Sequence, residues 1–151
     1  MTEEAFYYTN LFKKIANEQK VQLNKRTSEQ GMTYVQSLVI LYLLDMKKHA
    51  ETGPEVTQRQ VEKYLSLKGS TVTKLLDRME ENGYITRVKS KRDSRANCIY
   101  PTELGISFVP YFYDALHQVE STMTKGMTTE EKEMLKDLLK RVLINLEDNK
   151  N

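Results

Sequence analysis

Three times along this chain a threonine is followed three residues later by Gln or Glu and then by apolar residues at helical spacing: Thr33 and Gln36, Thr57 and Gln60, Thr128 and Glu131. Such pairs cap a helix reciprocally, the threonine hydroxyl and the longer side chain each taking up a main-chain N–H that the first turn leaves without a partner. Repeated capping pairs commit the chain to separate amphipathic helices joined by short connections. After Thr33, Val35, Leu38, Val39, Tyr42, Leu43 and Met46 share one side and predict a helix over 34–47. After Thr57, a short helix is expected to bury Val61, Tyr64 and Leu65. After Thr128, Met134, Leu135, Leu138, Leu139, Val142, Leu143 and Leu146 predict a long helix with a broad apolar face.

The intervals fill in consistently. Tyr8, Leu11, Phe12, Ile15, Gln19 and Leu23 predict a first helix over 4–26, and His49 to Glu55, with Gly53 and Pro54, reads as a connection. Ser70 is a candidate cap for a fourth helix that places Val72, Leu75, Leu76 and Met79 inside and Thr71, Lys74, Asp77 and Arg78 outside. Ser70 and Thr73 lie near its beginning, and Gly83 can end it. Ile85 and Val88 lie in one β-prone run and Cys98, Ile99 and Tyr100 in another, with KSKRDSRAN between them. That polar stretch reads equally as an exposed hairpin loop or as a flexible basic wing. Thr102 can cap a fifth helix with Phe108, Val109, Phe112, Leu116, Val119 and Met123 in its stripe, bent at Pro110, and Lys125 and Gly126 end it.

Composition narrows the function classes. A length of 151 residues suits a single chain-long domain, and a lone Cys98 precludes an intrachain disulfide, which fits a reducing cytoplasm. The start MTEEAFYYTN lacks a basic segment followed by an apolar core, and no window approaches 18 apolar residues, so neither export nor membrane spanning is expected. His49 and His117 are isolated, and neither GxGxxG nor GxxxxGK[ST] occurs, so no enzyme, metal or cofactor is expected. Residues 57–100 hold ten basic and five acidic side chains, a local +5 in a chain of +2, leaving −3 for the rest. A basic middle in an acidic frame suits either a polyanion such as nucleic acid or a solubilising face.

Two short helices, the second with a polar outer side, followed by a basic hairpin, make a winged helix-turn-helix arrangement. In such an arrangement one helix braces on the backbone while the next enters a major groove about 12 Å wide. The expected fold is mainly α with a small β-wing, the winged helix-turn-helix occupying 33–101 and helices at 1–32 and 102–151 forming a dimerisation region. At this point the residues resemble the MarR family of bacterial transcription regulators. The resemblance rests on VTQRQVEKYLSLKGSTVTKLLDRMEENGYITRVKSKRDSRANCIYPTELG, from Val56 to Gly105, with the upstream TYVQSLVILYLL. STVTKLLDRMEENGYITR followed by DSRA is its most specific part.

The resemblance implies a cytoplasmic homodimer that binds a pseudo-palindromic operator in double-stranded DNA, more often as a repressor, relieved by a small ligand or by oxidation. Half-sites then lie about 34 to 36 Å apart or at a multiple of that spacing. Ser70, Thr71, Thr73, Lys74 and Arg78 become the candidate recognition-helix contacts, with helix-start chemistry as the competing role for Thr71 and Thr73. In the wing, Arg95 matches the family arginine that approaches the minor groove and Asp93 its acidic partner, through an ion pair, an Asp-mediated turn, or both. Lys89, Lys91 and Arg92 are expected to add phosphate attraction. Pro101 departs from the family pattern, where leucine usually precedes the threonine. Tyr8, Phe12, Tyr34, Tyr42, Tyr111, Phe112 and Tyr113 supply aromatic material for a small aromatic or amphipathic effector, or for ordinary core. Cys98, on a strand and far from the amino-terminal sensor position of the peroxide-sensing branch, reads as a small core residue. The competing function is a winged-helix module that binds an acidic protein without reading DNA.

Overall fold

In a computed structural model, which describes residues 6–48 and 55–148, each capping pair closes. The Thr33 N–H donates to Gln36 Oε1 at 2.9 Å and the Gln36 N–H to Thr33 Oγ1 at 3.3 Å. The Thr57 N–H donates to Gln60 Oε1 at 2.8 Å, and the Thr128 N–H to Glu131 Oε2 at 2.8 Å. The helices they start are α2 (Tyr34–Lys48), α3 (Gln58–Leu65) and α7 (Thr129–Asp148); α1 (Tyr7–Glu29) precedes them, and α4 (Gly69–Glu81) follows α3. Between α4 and α7 lie β1 (Ile85–Lys89), β2 (Asn97–Pro101), α5 (Glu103–Ser107) and α6 (Val109–Met123). The connection expected around His49, Gly53 and Pro54 lies outside the described residues, as do residues 4 and 5 of the expected first helix.

Several local expectations are corrected. Ser70 does not cap α4: the helix already includes Gly69, its N-cap is Lys68, and no side chain caps it. The bent helix expected across Pro110 is two helices, because α5 ends on Phe108 and Pro110 falls in the first turn of α6, where its missing N–H has no partner to lose. Tyr64 is 45% exposed rather than buried, and its ring stacks on Tyr42 with centroids 4.3 Å apart. Leu75, and likewise Leu65 on α3, is only partly buried against the core.

The end of α4 shows how sequence sets the direction of the chain. Asn82 is the C-cap, Gly83 takes φ +74°, and N–H groups of Gly83 and Tyr84 reach the carbonyls of Glu80 and Met79 at 2.9 and 2.8 Å. This paired closure needs the left-handed conformation that glycine adopts without Cβ crowding. It aims Tyr84 at the turn that follows α1, where its hydroxyl donates to the Gly31 carbonyl at 2.7 Å. β1 and β2 then pair antiparallel, from Ile85 opposite Pro101 to Lys89 opposite Asn97. Pro101 closes the strand from its last position, where no ladder N–H is required.

One apolar cluster carries these elements: Met32, Val39, Ile40 and Leu43 meet Val56, Val61, Val72, Leu76, Met79, Tyr84, Ile85 and Ile99. Val72, Leu76 and Met79 are each 0% exposed, at the i, i+4, i+7 spacing of one helix face. Burying each such side chain stabilises by roughly 1.5–3 kcal/mol, so α4 is held by its inner face and its outer face is left to polar residues. Contacts divide the chain into two compact units between Leu116 and His117, the first containing this cluster. The second contains α7, none of whose residues is buried: Leu138, Leu143 and Leu146 are 48%, 56% and 64% exposed. No helix among the described residues is long and apolar enough to cross a membrane.

Candidate nucleic-acid interface

Helices α3 and α4 are locked together by side-chain hydrogen bonds. Gln58, in the first turn of α3, donates through Nε2 to Glu62 Oε1 at 3.0 Å and to Thr73 Oγ1 at 2.8 Å, and the Thr73 hydroxyl donates to the Gly69 carbonyl at 2.9 Å. Between the helices, Ser66 takes the left-handed conformation at φ 53° and returns its N–H to α3 carbonyls. Thr73 therefore joins α3 to α4 through its hydroxyl, and its part in the site is first of all to position.

Ser70, Thr71, Lys74 and Arg78 are all exposed on the outer side of α4. With Thr33, Gln36 and Leu75 they line an open groove of about 320 Å³. The hydroxyls supply short donors and acceptors, while Lys74 and Arg78 supply charge. Neither cation makes a salt bridge to another described residue, so their fields point outward to solvent or to a polyanion.

Arg87 behaves otherwise, although its sequence neighbourhood gives it the same look. Its Nη2 lies 2.6 Å from Asp77 Oδ1 and 2.7 Å from Glu80 Oε2, its Nε donates to Glu80 Oε2 at 2.9 Å, and its main-chain N–H donates to Glu80 Oε1 at 3.2 Å. The guanidinium hydrogen bonds hold the Glu80 carboxyl below its ordinary pKa, and Glu80 and then Asp77 push that of Arg87 up. One of the ten basic residues of this region is thus used to fasten β1 to α4, and it carries the wing with it.

The wing loop is built around two carboxylates. Asp93 Oδ1 accepts the Arg95 N–H at 2.9 Å, and the Ala96 N–H donates to the Asp93 carbonyl at 3.0 Å. Asp93 therefore acts through an Asx turn that presents Arg95 by its backbone; among the described residues it forms no ion pair with the guanidinium. The second is Glu55, half-buried just ahead of α3, which accepts the Ser90 hydroxyl at 2.5 Å and the Lys91 N–H at 3.0 Å. These hydrogen bonds, the Ser90 one foremost, hold the Glu55 carboxyl below its usual pKa. Lys89, Lys91, Arg92, Asp93 and Arg95 are all exposed. Asp93 and Arg95 share a second open groove, of about 390 Å³, with Thr57, Gln58, Arg59, Arg87 and Asn97 among its lining.

The structure thus gathers Ser70, Thr71, Lys74 and Arg78 into one groove and Asp93 and Arg95 into another, while Lys89, Lys91 and Arg92 line neither. Sequence reasoning missed Gln58, Arg59 and Glu55. Arg59 entered only as a unit of charge, and for Gln58 and Glu55 the partners are 15 and 35 residues away. Cys98 is 1% exposed on β2, and burial pushes its thiol pKa up. Of the seven aromatics considered for an effector, only Phe112 lines the apolar space among Met32, Ile40, Gly105 and Phe108, which leaves essentially no room for a water molecule. Among the described residues no three His, Cys, Asp or Glu side chains come together as a metal site.

A family model described as the MarR family matches residues 30–96. The HTH-type transcriptional regulator PrsX of Escherichia coli is 25% identical over 118 residues, 78% of this chain and 68% of PrsX. The HTH-type transcriptional regulator SarZ of Staphylococcus haemolyticus is 28% identical over 114 residues, 76% of this chain and 71% of SarZ. Among solved structures, the S. aureus MepR–DNA complex superposes with a TM-score of 0.71 at 28% identity, covering 96% of this chain and 99% of that one. Wild-type E. coli MarR in its apo form has a TM-score of 0.78 at 24% identity over 89% of this chain and 95% of its own, a likeness of fold.

Proposed function

We propose that this chain is a winged helix-turn-helix transcription regulator of the MarR kind, whose family model it matches over residues 30–96, and that it is a sequence-specific DNA-binding repressor acting as a cytoplasmic homodimer on a pseudo-palindromic operator, in response to a small ligand. The observation that carries this reading is the outer face of α4. Ser70, Thr71, Lys74 and Arg78 stand exposed on a helix whose Val72, Leu76 and Met79 are fully buried on the other side, and Arg87 ties that helix to the wing. An α-helix fits the major groove, where Arg78 can pair with guanine or phosphate and the hydroxyls with base edges. Arg95 then extends to the adjacent minor groove, and Lys89, Lys91 and Arg92 lie over phosphates.

Residues 33–101 form the DNA-binding region in this reading, and 1–32 with 102–151 the dimerisation region. Support for a second copy comes from apolar side chains that water would otherwise cover: Tyr8 and Phe12 on α1 are 76% and 41% exposed, and Leu138, Leu143 and Leu146 of α7 are exposed as well. Obligate homodimer interfaces are apolar in this way. The experiment that tests the function is selection of bound fragments from genomic DNA by the purified protein. Recurrent pseudo-palindromes with half-sites about one helical turn, or a multiple of it, apart are expected. A folded dimer that enriches no sequence would instead favour a protein-interaction module.

A further inference from the structure

Glu55 lies outside both grooves and carries the wrong sign for a DNA contact, yet it reaches the wing turn from outside it with two hydrogen bonds. Its two carboxylate oxygens are divided between the Ser90 hydroxyl at 2.5 Å and the Lys91 N–H at 3.0 Å. Ser90 passes the connection on: its Oγ accepts the N–H groups of Arg92 and Asp93, each at 3.1 Å, and its own N–H donates to the Ala96 carbonyl at 3.0 Å. Asp93, placed by Ser90, then accepts the Arg95 N–H at 2.9 Å. A continuous chain of hydrogen bonds thus runs from Glu55 to the main chain of Arg95. On its other side Glu55 is fixed to the sheet, because the Ile99 N–H donates to the Val56 carbonyl at 2.8 Å and Thr57 bridges Cys98. Thr57 in turn starts α3.

We propose that Glu55 is a positioning residue for DNA recognition: its carboxylate latches the wing turn to the start of α3, and so sets where Arg95 stands relative to α4. The inference rests on the DNA-binding reading above. Residues 90–96 alone offer seven main-chain units and no apolar side chain larger than alanine, so the turn has no core of its own. Its geometry is set by polar groups, and among the described residues Glu55 is the one whose side chain hydrogen-bonds it to the segment ahead of α3. Removing one partner leaves the N–H and hydroxyl groups it served to water and to alternative geometries.

The sign of the effect makes the test decisive. An acid near a DNA-binding face repels phosphate, so replacing a merely solvated glutamate with alanine raises affinity. Replacing a latch lowers it. We expect Glu55→Ala to weaken binding to the duplex enriched from genomic DNA by about tenfold at matched salt, with a smaller change on its scramble. Ser90→Ala, which leaves the charge unchanged, is expected to do the same. Amide–water exchange measured by NMR on the DNA-free protein supplies an independent readout: Lys91, Arg92 and Asp93 are expected to exchange faster in both variants, while the amides of Val72, Leu76 and Met79 stay protected. Unchanged exchange overturns the latch. Faster exchange with equal or tighter operator binding overturns the positioning role. If the wild type prefers no duplex at all, the DNA-binding reading fails, the positioning role falls with it, and exchange alone still decides whether the latch exists.

Discussion

Replacing Gly105 with alanine separates two physical expectations of opposite sign. Gly105 is the third residue of α5, and inside an isolated helix alanine is favoured over glycine by about 0.8–1.0 kcal/mol. Here, however, a Cβ would stand 2.2 Å from the Tyr84 carbonyl oxygen and 2.9 Å from Ile40 Cδ1, where ordinary contact begins near 3.4 Å. The carbonyl is main chain and cannot rotate away. It also accepts the Thr102 N–H at 3.0 Å, while the Thr102 hydroxyl donates to Gly83 at 2.6 Å and accepts the Gly105 N–H at 3.0 Å. Relieving the clash means lifting α5 from the start of β1. The lost hydrogen bond costs about 1 kcal/mol and overpacking about 2 kcal/mol, so after the propensity gain about 2 kcal/mol of destabilisation remains. For a chain of this size that corresponds to a fall in Tm of roughly 4–8 °C. Thermal melts of Gly105→Ala and wild type at equal protein concentration measure it, since association would otherwise shift both. A Tm equal to or above that of wild type would refute the close-approach argument.

Three further outcomes are expected. Arg95→Ala should weaken operator binding by about 1–3 kcal/mol without changing the melt; equal affinity at matched salt contradicts its placement in the minor groove. Glu80 and Glu55 titrate below the ordinary carboxylate value of 4.5 when folded, Glu80 through Arg87 and Glu55 through Ser90. Their stabilisation is therefore complete above that value and is lost as pH falls through the lowered ones, where the unfolded chain has already taken up protons. Urea midpoints should drop on acidification in that window, and less steeply for Glu80→Gln; an identical drop in the variant refutes the Arg87 account. Leu143→Arg, on the exposed apolar side of α7, should convert the proposed dimer to monomer in sedimentation, and a dimer that persists would place the interface elsewhere.

What was legible in the sequence is what local chemistry decides. The spacing of Val72, Leu76 and Met79 fixes one face of α4 inward, and with it the outward set from Ser70 to Arg78, whatever the rest of the chain does. Gly83 was readable as a stop because the left-handed conformation is its speciality. What the sequence left unread are the places where a distant residue has the deciding role. Thr73 looks like a free hydroxyl until Gln58 is brought against it, and Arg87 looks like one more basic side chain until the turn after α4 folds it onto Asp77 and Glu80. Pro110 could bend one helix or begin another, and the local pattern is the same for both. The stripe on α7 illustrates a different limit, since periodicity identifies an apolar face without saying whether it is covered by the same chain or by another.

Whether the face of α4 and its wing read DNA sequence is decided by equilibrium binding of the purified protein to its most enriched genomic duplex and to a scramble of identical composition, at one salt concentration. A preference of about 10³-fold or more is expected, the low end for specific recognition over non-specific binding. Equal affinity for the two duplexes, with the protein folded and dimeric, would contradict it.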